Sequence, residues 1–295
     1  AFVQPQLSVV SDRLWQRVTQ PTAGRLISSG EKEKRIFLHL DYILSSEMQK
    51  QVDTLQYDIE QLWQQPDGGV IQFDIFSARR NCMVQVTVYP VCLHYARRAK
   101  YLSAYGLDPY GQVAWHNYRL DRIVSPKLRV LPWGAPQVPG EMKALWHTGQ
   151  LPTPAEVEAK LDDAWGFIFY LPKALMILRF SPEFARYYVE DTMRHPTFEQ
   201  IDYKALLERV RSQISVEAGQ REILEVLAAR KRVDAYYCSW IRLGDINVTM
   251  RLRDWRPNGE VIAPWESRLQ MIAEAKQELG EYGTRMKLEG KGQRK

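Results

Sequence analysis

Nine lysines and arginines stand between Arg79 and Arg129 against two acids, Asp108 and Asp121, although the whole 295-residue chain carries a net charge of only +5. The excess in this one stretch is larger than the total, so the rest of the chain is slightly acidic. Positive charge gathered in one place is the electrostatic footprint of a polyanion site. Arg97 and Arg98 fall at a turn, Tyr101, Ser103 and Tyr105 follow at alternate positions, and Tyr118-Arg119-Leu120-Asp121-Arg122-Ile123 closes the stretch. Arginine offers a planar fork to phosphate oxygens, and tyrosine a π-face on which a base can stack. Together they suit one or a few nucleotides. The plain alternatives are a set of solvated hairpin charges, or tyrosines covering a dimer contact. His94 and His116 are candidate donors to base edges, although a lone histidine beside a strand is more often structural. Of Arg119 and Arg122, one is expected to reach ligand and the other to be held by Asp121 in a structural ion pair.

Strands must carry these groups. Val84, Val86 and Val88 alternate with Gln85, Thr87 and Tyr89, the period of a half-buried strand. Ala96 to Ala99 then makes a hairpin turn, and on the next strand Tyr101, Ser103 and Tyr105 share a face opposite Leu102 and Ala104. An earlier strand is expected from Val70, after Pro66-Asp67-Gly68-Gly69, with Ile71, Phe73 and Ile75 inward and a hairpin at Ser77 to Asn81. Ahead of it, Leu7 to Thr19 predicts a short helix and Arg35 to Leu44 a strand. Ser45 or Ser46 can cap a helix through Gln65 whose stripe is Val52, Leu55, Ile59 and Leu62.

The quoted run resembles the WYL domain, a small Sm-like β-barrel of prokaryotic regulators. Tyr89-Pro90-Val91-Cys92-Leu93, Lys100-Tyr101-Leu102-Ser103-Ala104-Tyr105 and His116 to Ile123 carry the likeness. Lys100 stands where the naming tryptophan is usual, and His116 where an arginine is usual. The resemblance implies that the turn bearing Ser77, Arg79 and Arg80 faces ligand, with Arg97, Arg98, His94, Tyr101, Ser103, Arg119 and Arg122 on the later strands. Further on, Ile177 to Tyr187, His195-Pro196 and Pro257 to Arg268 are similar to the C-terminal extension domain of such proteins, which is ferredoxin-like. Tyr236 to Ile241 and Asn247 to Leu252 are expected as its middle strands.

The organisation expected is therefore α+β. Residues 1–66 form a short α/β segment and linker helix without a complete helix-turn-helix, which such regulators usually carry. Residues 67–130 form the Sm-like WYL barrel. Residues 131–172, with five prolines and three glycines between Leu131 and Pro154, read as a Pro-rich linker and a short helix. Residues 173–282 form the ferredoxin-like domain with a helical insertion at 201–232, whose end Arg230-Lys231-Arg232 is read as solvated. Residues 283–295 form a basic disordered tail.

Several functions find no support. Three scattered cysteines make neither a disulfide framework nor a zinc site. The longest apolar run, Trp165 to Leu178, is broken by Pro172 and Lys173 and is too short to span a membrane. No phosphate-binding glycine loop, zinc-protease motif or nucleophile elbow occurs. The expectation is a non-enzymatic, cytoplasmic protein without cofactor or metal. It binds single-stranded RNA or DNA, or a nucleotide-like ligand, as a homodimer. The long, divergent architecture resembles the CRISPR-associated branch of the family, in antiviral defence, so CRISPR-Cas components are expected partners. The competitors are a ligand-sensing transcriptional repressor whose helix-turn-helix lies upstream of Ala1, and a protein-interaction module.

Overall fold

The computed structural model describes residues 44–77, 81–96 and 99–289 and opens on helix α1 (Ser46–Trp63). The predicted helix and strand before residue 44 lie outside the described residues. The Ser45 hydroxyl accepts from the Met48 N–H, which settles which serine caps α1. Its expected stripe, Val52, Leu55, Ile59 and Leu62, is buried.

That stripe packs on one face of an antiparallel sheet made of β1 (Val70–Ser77), β2 (Cys82–Ala96), β3 (Ala99–Leu107), β4 (Val113–Arg119) and β5 (Arg129–Leu131). The strand order is β4-β3-β2-β1-β5. Ile71, Phe73, Ile75, Val86, Val88, Leu102, Ala104 and Tyr118 face α1, as strict alternation requires. A 3-10 turn, Leu120–Arg122, follows β4, and the chain is pinned to β1 by the Ile75–Ile123 bridge and the Val124 N–H donated to Asp74 O. The described strands form an open sheet with β4 and β5 at its edges, and no closed barrel is seen.

Residues 131–156 behave differently from the linker expected. Helix α2 (Gly140–His147) forms there, and Trp133, Val138 and Met142 join Leu131 and Val70 in a second small core. Trp133 stacks on Trp146 at 5.4 Å and donates its indole N–H to Asp67 O. Aromatic anchors outweigh the proline signal, because burying Trp133 and packing a half-buried Trp146 on it repays ordering an irregular chain.

The chain divides into two units between Glu156 and Val157, within α3 (Pro154–Asp163). The second contains β6 (Lys173–Phe180), α4 (Pro182–Tyr188), β7 (Glu199–Ile201), α5 (Tyr203–Gln213), α6 (Gln220–Ala228), β8 (Ala235–Arg242), α7 (Ile246–Arg253), β9 (Glu260–Ala263) and α8 (Trp265–Glu289). Its sheet is antiparallel throughout, in the order β7-β8-β6-β9. Both faces are covered. Met176, Leu178 and Phe180 meet Ala185 of α4 and Val248 and Leu252 of α7, while Leu175 and Ile177 meet Leu206, Val210, Ile223 and Leu227 of α5 and α6. A strand buried on both sides needs an unbroken apolar run, which Ala174 to Leu178 supplies.

Asn247 to Leu252, expected as a strand, is helical. Asp245 caps it by accepting from the Asn247 N–H, and Val248 and Leu252 fall one turn apart on its buried side. Alternation over six residues was outweighed by that cap. The helices of 201–232 are more than an appendage, since they cover one face of the sheet. Arg230, from the end expected to be solvated, binds Glu260 from Nε and Nη2, and Arg179 and Arg268 join the same carboxylate. Helix α8 runs to Glu289, past the expected domain end, and residues 290–295 lie outside the described residues.

Burial works to raise the Glu260 carboxyl, but Arg230 and Arg268 override it and hold its pKa at about 2. A depressed carboxyl stabilises the fold fully above its ordinary value of 4.5, and that contribution is lost as pH falls from there through about 2. Thermal melts of the whole chain between pH 5 and pH 2 should therefore show a falling Tm. Glu260→Gln should show a flatter decline over the same window. Parallel curves for both proteins would remove Glu260 from the explanation.

Candidate functional site

Strand register brings together four of the predicted site residues. His94 on β2 pairs with Tyr101 on β3, which pairs with Arg119 on β4, and one step along Cys92, Ser103 and Asn117 make a parallel row. Directly opposed residues share a face, so these six stand together on the side of the sheet away from α1. The face is largely satisfied from within. Ser103 is fully buried and donates to Asn117 Oδ1 at 2.7 Å. Arg119 makes a two-pronged pair with Asp121, Nε to Oδ1 at 3.0 Å and Nη2 to Oδ2. Burial drives the His94 pKa down to about 4 and pushes the Cys92 thiol up to about 11. The two side chains approach to 3.2 Å, and at neutral pH they are a thiol beside a neutral imidazole.

The other predicted residues fall elsewhere. Ser77 is buried at the end of β1, opposite Cys82. Arg79, Arg80, Arg97 and Arg98 lie outside the described residues. Lys100 is tied to α1, donating to Asp53 at 2.8 Å and to Gln56 at 2.6 Å, and Arg129 donates to Gln72. Among the described basic residues of this stretch, Arg122 and Lys127 are exposed and form no ion pair. The expectation that Asp121 takes one arginine of the pair is thus met by Arg119, and Arg122 is left to the solvent.

Arg122 borders a cleft of about 580 Å³ lined by Met48 and Gln51 of α1, Phe76 near the end of β1, and Asp121, Ile123 and Val124. The walls are held in place. Gln51 Nε2 donates to Ile123 O at 3.0 Å, and the Ser125 hydroxyl accepts from the Asp74 N–H at 2.7 Å. Phe76 and Val124 are about half exposed. A guanidinium beside an exposed aromatic ring can take a phosphate and a stacked base at once. Sequence reasoning passed over Phe76 and Met48. The available signal was an aromatic in the polar phase of β1, since Phe76 shares its parity with Gln72 and Asp74.

Among the described residues, no group of three His, Cys, Asp or Glu side chains is placed to hold a metal ion. No helix there is long and apolar enough to cross a membrane.

No family model and no curated protein matches this chain. Several solved structures are similar to it, two of them as follows. The proteasome accessory factor B/C (PafBC) of Arthrobacter aurescens shares 15% identity, over 78% of this chain and 27% of that one, with a TM-score of 0.27. A CRISPR Cas-related protein shares 9% identity, over 81% of this chain and 54% of that one, with a TM-score of 0.32. The chain therefore spans about a quarter of the first and about half of the second.

Proposed function

We propose that this is a non-catalytic regulatory protein whose first unit binds single-stranded RNA or DNA, or a nucleotide-like ligand, in the cleft beside Arg122. The observation that carries the proposal is an exposed guanidinium without an ion pair next to a half-exposed Phe76, in a cleft whose walls are braced by hydrogen bonds. Arg122 takes the phosphate, and Phe76 and Met48 take the base; Arg79 and Arg80, which follow β1 in the sequence, are further candidates for phosphate contact. Arg119 is a positioning residue in this scheme, locked by Asp121.

The Sm-like description of the first unit is supported by five antiparallel strands with a 3-10 turn before the last. The ferredoxin-like description of the second is supported by the order β7-β8-β6-β9 with α4 and α7 as crossovers. A homodimer built through the second unit has support from the exposed side chains Leu269, Ile272, Leu279 and Tyr282 along α8. The association with a CRISPR-Cas system rests on the sequence resemblance.

The test is fluorescence anisotropy with labelled single-stranded RNA, single-stranded DNA and duplex DNA of one sequence, at two salt concentrations. Arg122→Ala should weaken single-strand binding roughly tenfold or more and lower the salt slope by about one. Phe76→Ala removes a stacking contact, typically ~1–3 kcal/mol, so binding should weaken by at least about fivefold with the salt slope unchanged. Preference for a promoter duplex would favour a repressor instead. Single-strand binding untouched by either substitution would sink the cleft.

A further inference from the structure

Helix α8 is the longest among the described residues, and its own unit holds it along one side. Met271 packs against the core, and Glu274 accepts from Arg253 Nε at 2.9 Å and pairs with Arg256. Glu278 reaches Arg256 at 3.7 Å. On the flank turned away from these three residues, Leu269, Ile272 and Leu279 are 48%, 37% and 71% exposed. With Lys276 they follow a 3-4-3 spacing, and Trp265 and Gly283 extend it by four residues at either end. That is the seam of a coiled coil, with Leu269, Lys276 and Gly283 at the a positions and Trp265, Ile272 and Leu279 at d.

We propose that α8 of a second copy covers this seam, running antiparallel, with the two-fold axis beside residue 274. The proposal rests on the homodimer reading above and gives it an orientation and a register. A parallel pair would set Lys276 against the partner's Lys276, two like charges in one apolar layer. The antiparallel pair places residue 269 opposite 279 and residue 265 opposite 283. Leu269 then meets the partner's Leu279, and the stem of Lys276 lies along the partner's Ile272 with its ammonium in solvent. Two-fold symmetry repeats each contact. Gly283 faces the partner's Trp265, which gives a packing reason for a residue that weakens a helix. Its own unit supplies none, since a Cβ on Gly283 would meet nothing within 4 Å among the described residues. Ala273 and Ala275 flank the seam, and their small side chains let the two helices approach closely. The overlap from Trp265 to Gly283 is about 28 Å long.

The test is sedimentation equilibrium of the whole chain over a range of concentrations, where the wild type should be a dimer. Leu279→Lys should weaken dimerisation roughly a hundredfold, because the substitution enters two layers of the dimer. A side chain this exposed leaves the fold of the single chain intact, which circular dichroism checks. Lys276→Leu should strengthen dimerisation roughly tenfold by removing a charge from the seam. Orientation is read with a short thiol cross-linker after Cys82, the exposed native cysteine, is replaced by serine. Ala275→Cys, beside the axis, should couple to its own copy. Leu279→Cys should not, because its two copies lie about 15 Å apart along the helices. A monomer at every concentration overturns this proposal and the homodimer reading together. A dimer that Leu279→Lys leaves intact overturns the coiled coil alone. Without coupling at Ala275→Cys, or with coupling at Leu279→Cys, the antiparallel register falls.

Discussion

Asp245→Ala is expected to destabilise the second unit by ~3–5 kcal/mol, enough to leave much of it unfolded at 37 °C. Asp245 is fully buried, and its carboxylate is the hub of four hydrogen bonds. Oδ2 accepts from the backbone N–H groups of Phe167 and Ile168, and Oδ1 from the backbone and side-chain amides of Asn247. Removing it leaves two loop amides without an acceptor and takes away the N-cap of α7, worth about 1 kcal/mol by itself. Gly166 lies against the same group, because a Cβ there would meet Asp245 Oδ2 at 2.9 Å and Arg242 Cγ at 2.8 Å. Denaturant unfolding followed by tryptophan fluorescence measures the effect, since Trp165 and Trp255 sit in the affected core. Asp245→Asn should recover part of the loss, as one amide oxygen still accepts. A change below 1 kcal/mol in Asp245→Ala would show that the loop and the helix do not depend on this carboxylate.

The second large effect is expected in the first unit. Gly106 has φ +155°, and an added Cβ would meet Thr87 O at 2.6 Å and Val88 Cα at 2.7 Å, both backbone atoms that cannot move aside. Strain in that region and overpacking are each worth about 1–3 kcal/mol, so Gly106→Ala should lose ~2–5 kcal/mol. The substitution pushes apart β2 and β3 at the Val88–Gly106 pair, in the same ladder that positions His94, Tyr101 and Ser103. It should therefore lower the unfolding midpoint of the first unit. Gly111→Ala, at φ +81° but with open space around it, is the control for backbone strain alone. Equal losses at the two positions would mean that the close approach of β2 and β3 contributes nothing.

Much of this was legible along the chain, because local physics decides it. The period-2 alternation of Val84 to Val88 and the 3.6-residue stripe of α1 appear where their patterns place them. Asp121 taking one arginine of its run needed no more than residues two apart. Where two local signals competed, the outcome was less secure. Asn247 to Leu252 alternates well enough for a strand, and only the Asp245 cap, anchored by loop amides some 78 residues away in sequence, made it helical. In the same way Pro132, Pro136 and Pro139 suggested a loose linker, while Trp133 and Met142 found a pocket against Val70 that local sequence could not reveal.

The sequence by itself determined the α+β character, the main strands of both units, and the concentration of positive charge between Arg79 and Arg129. Only the tertiary structure decided which of those charges is available. Lys100 is spent on Asp53, which lies 47 residues before it, Arg129 on Gln72, and Arg119 on Asp121, so among the described residues of that stretch Arg122 is the basic one that borders the cleft. The physical reason is that charge is counted residue by residue, whereas neutralisation depends on which acids and amides the packing brings within about 3 Å. Phe76 became a candidate for the same reason: an aromatic at a strand end has no role until α1 and the turn after β4 close a cleft around it.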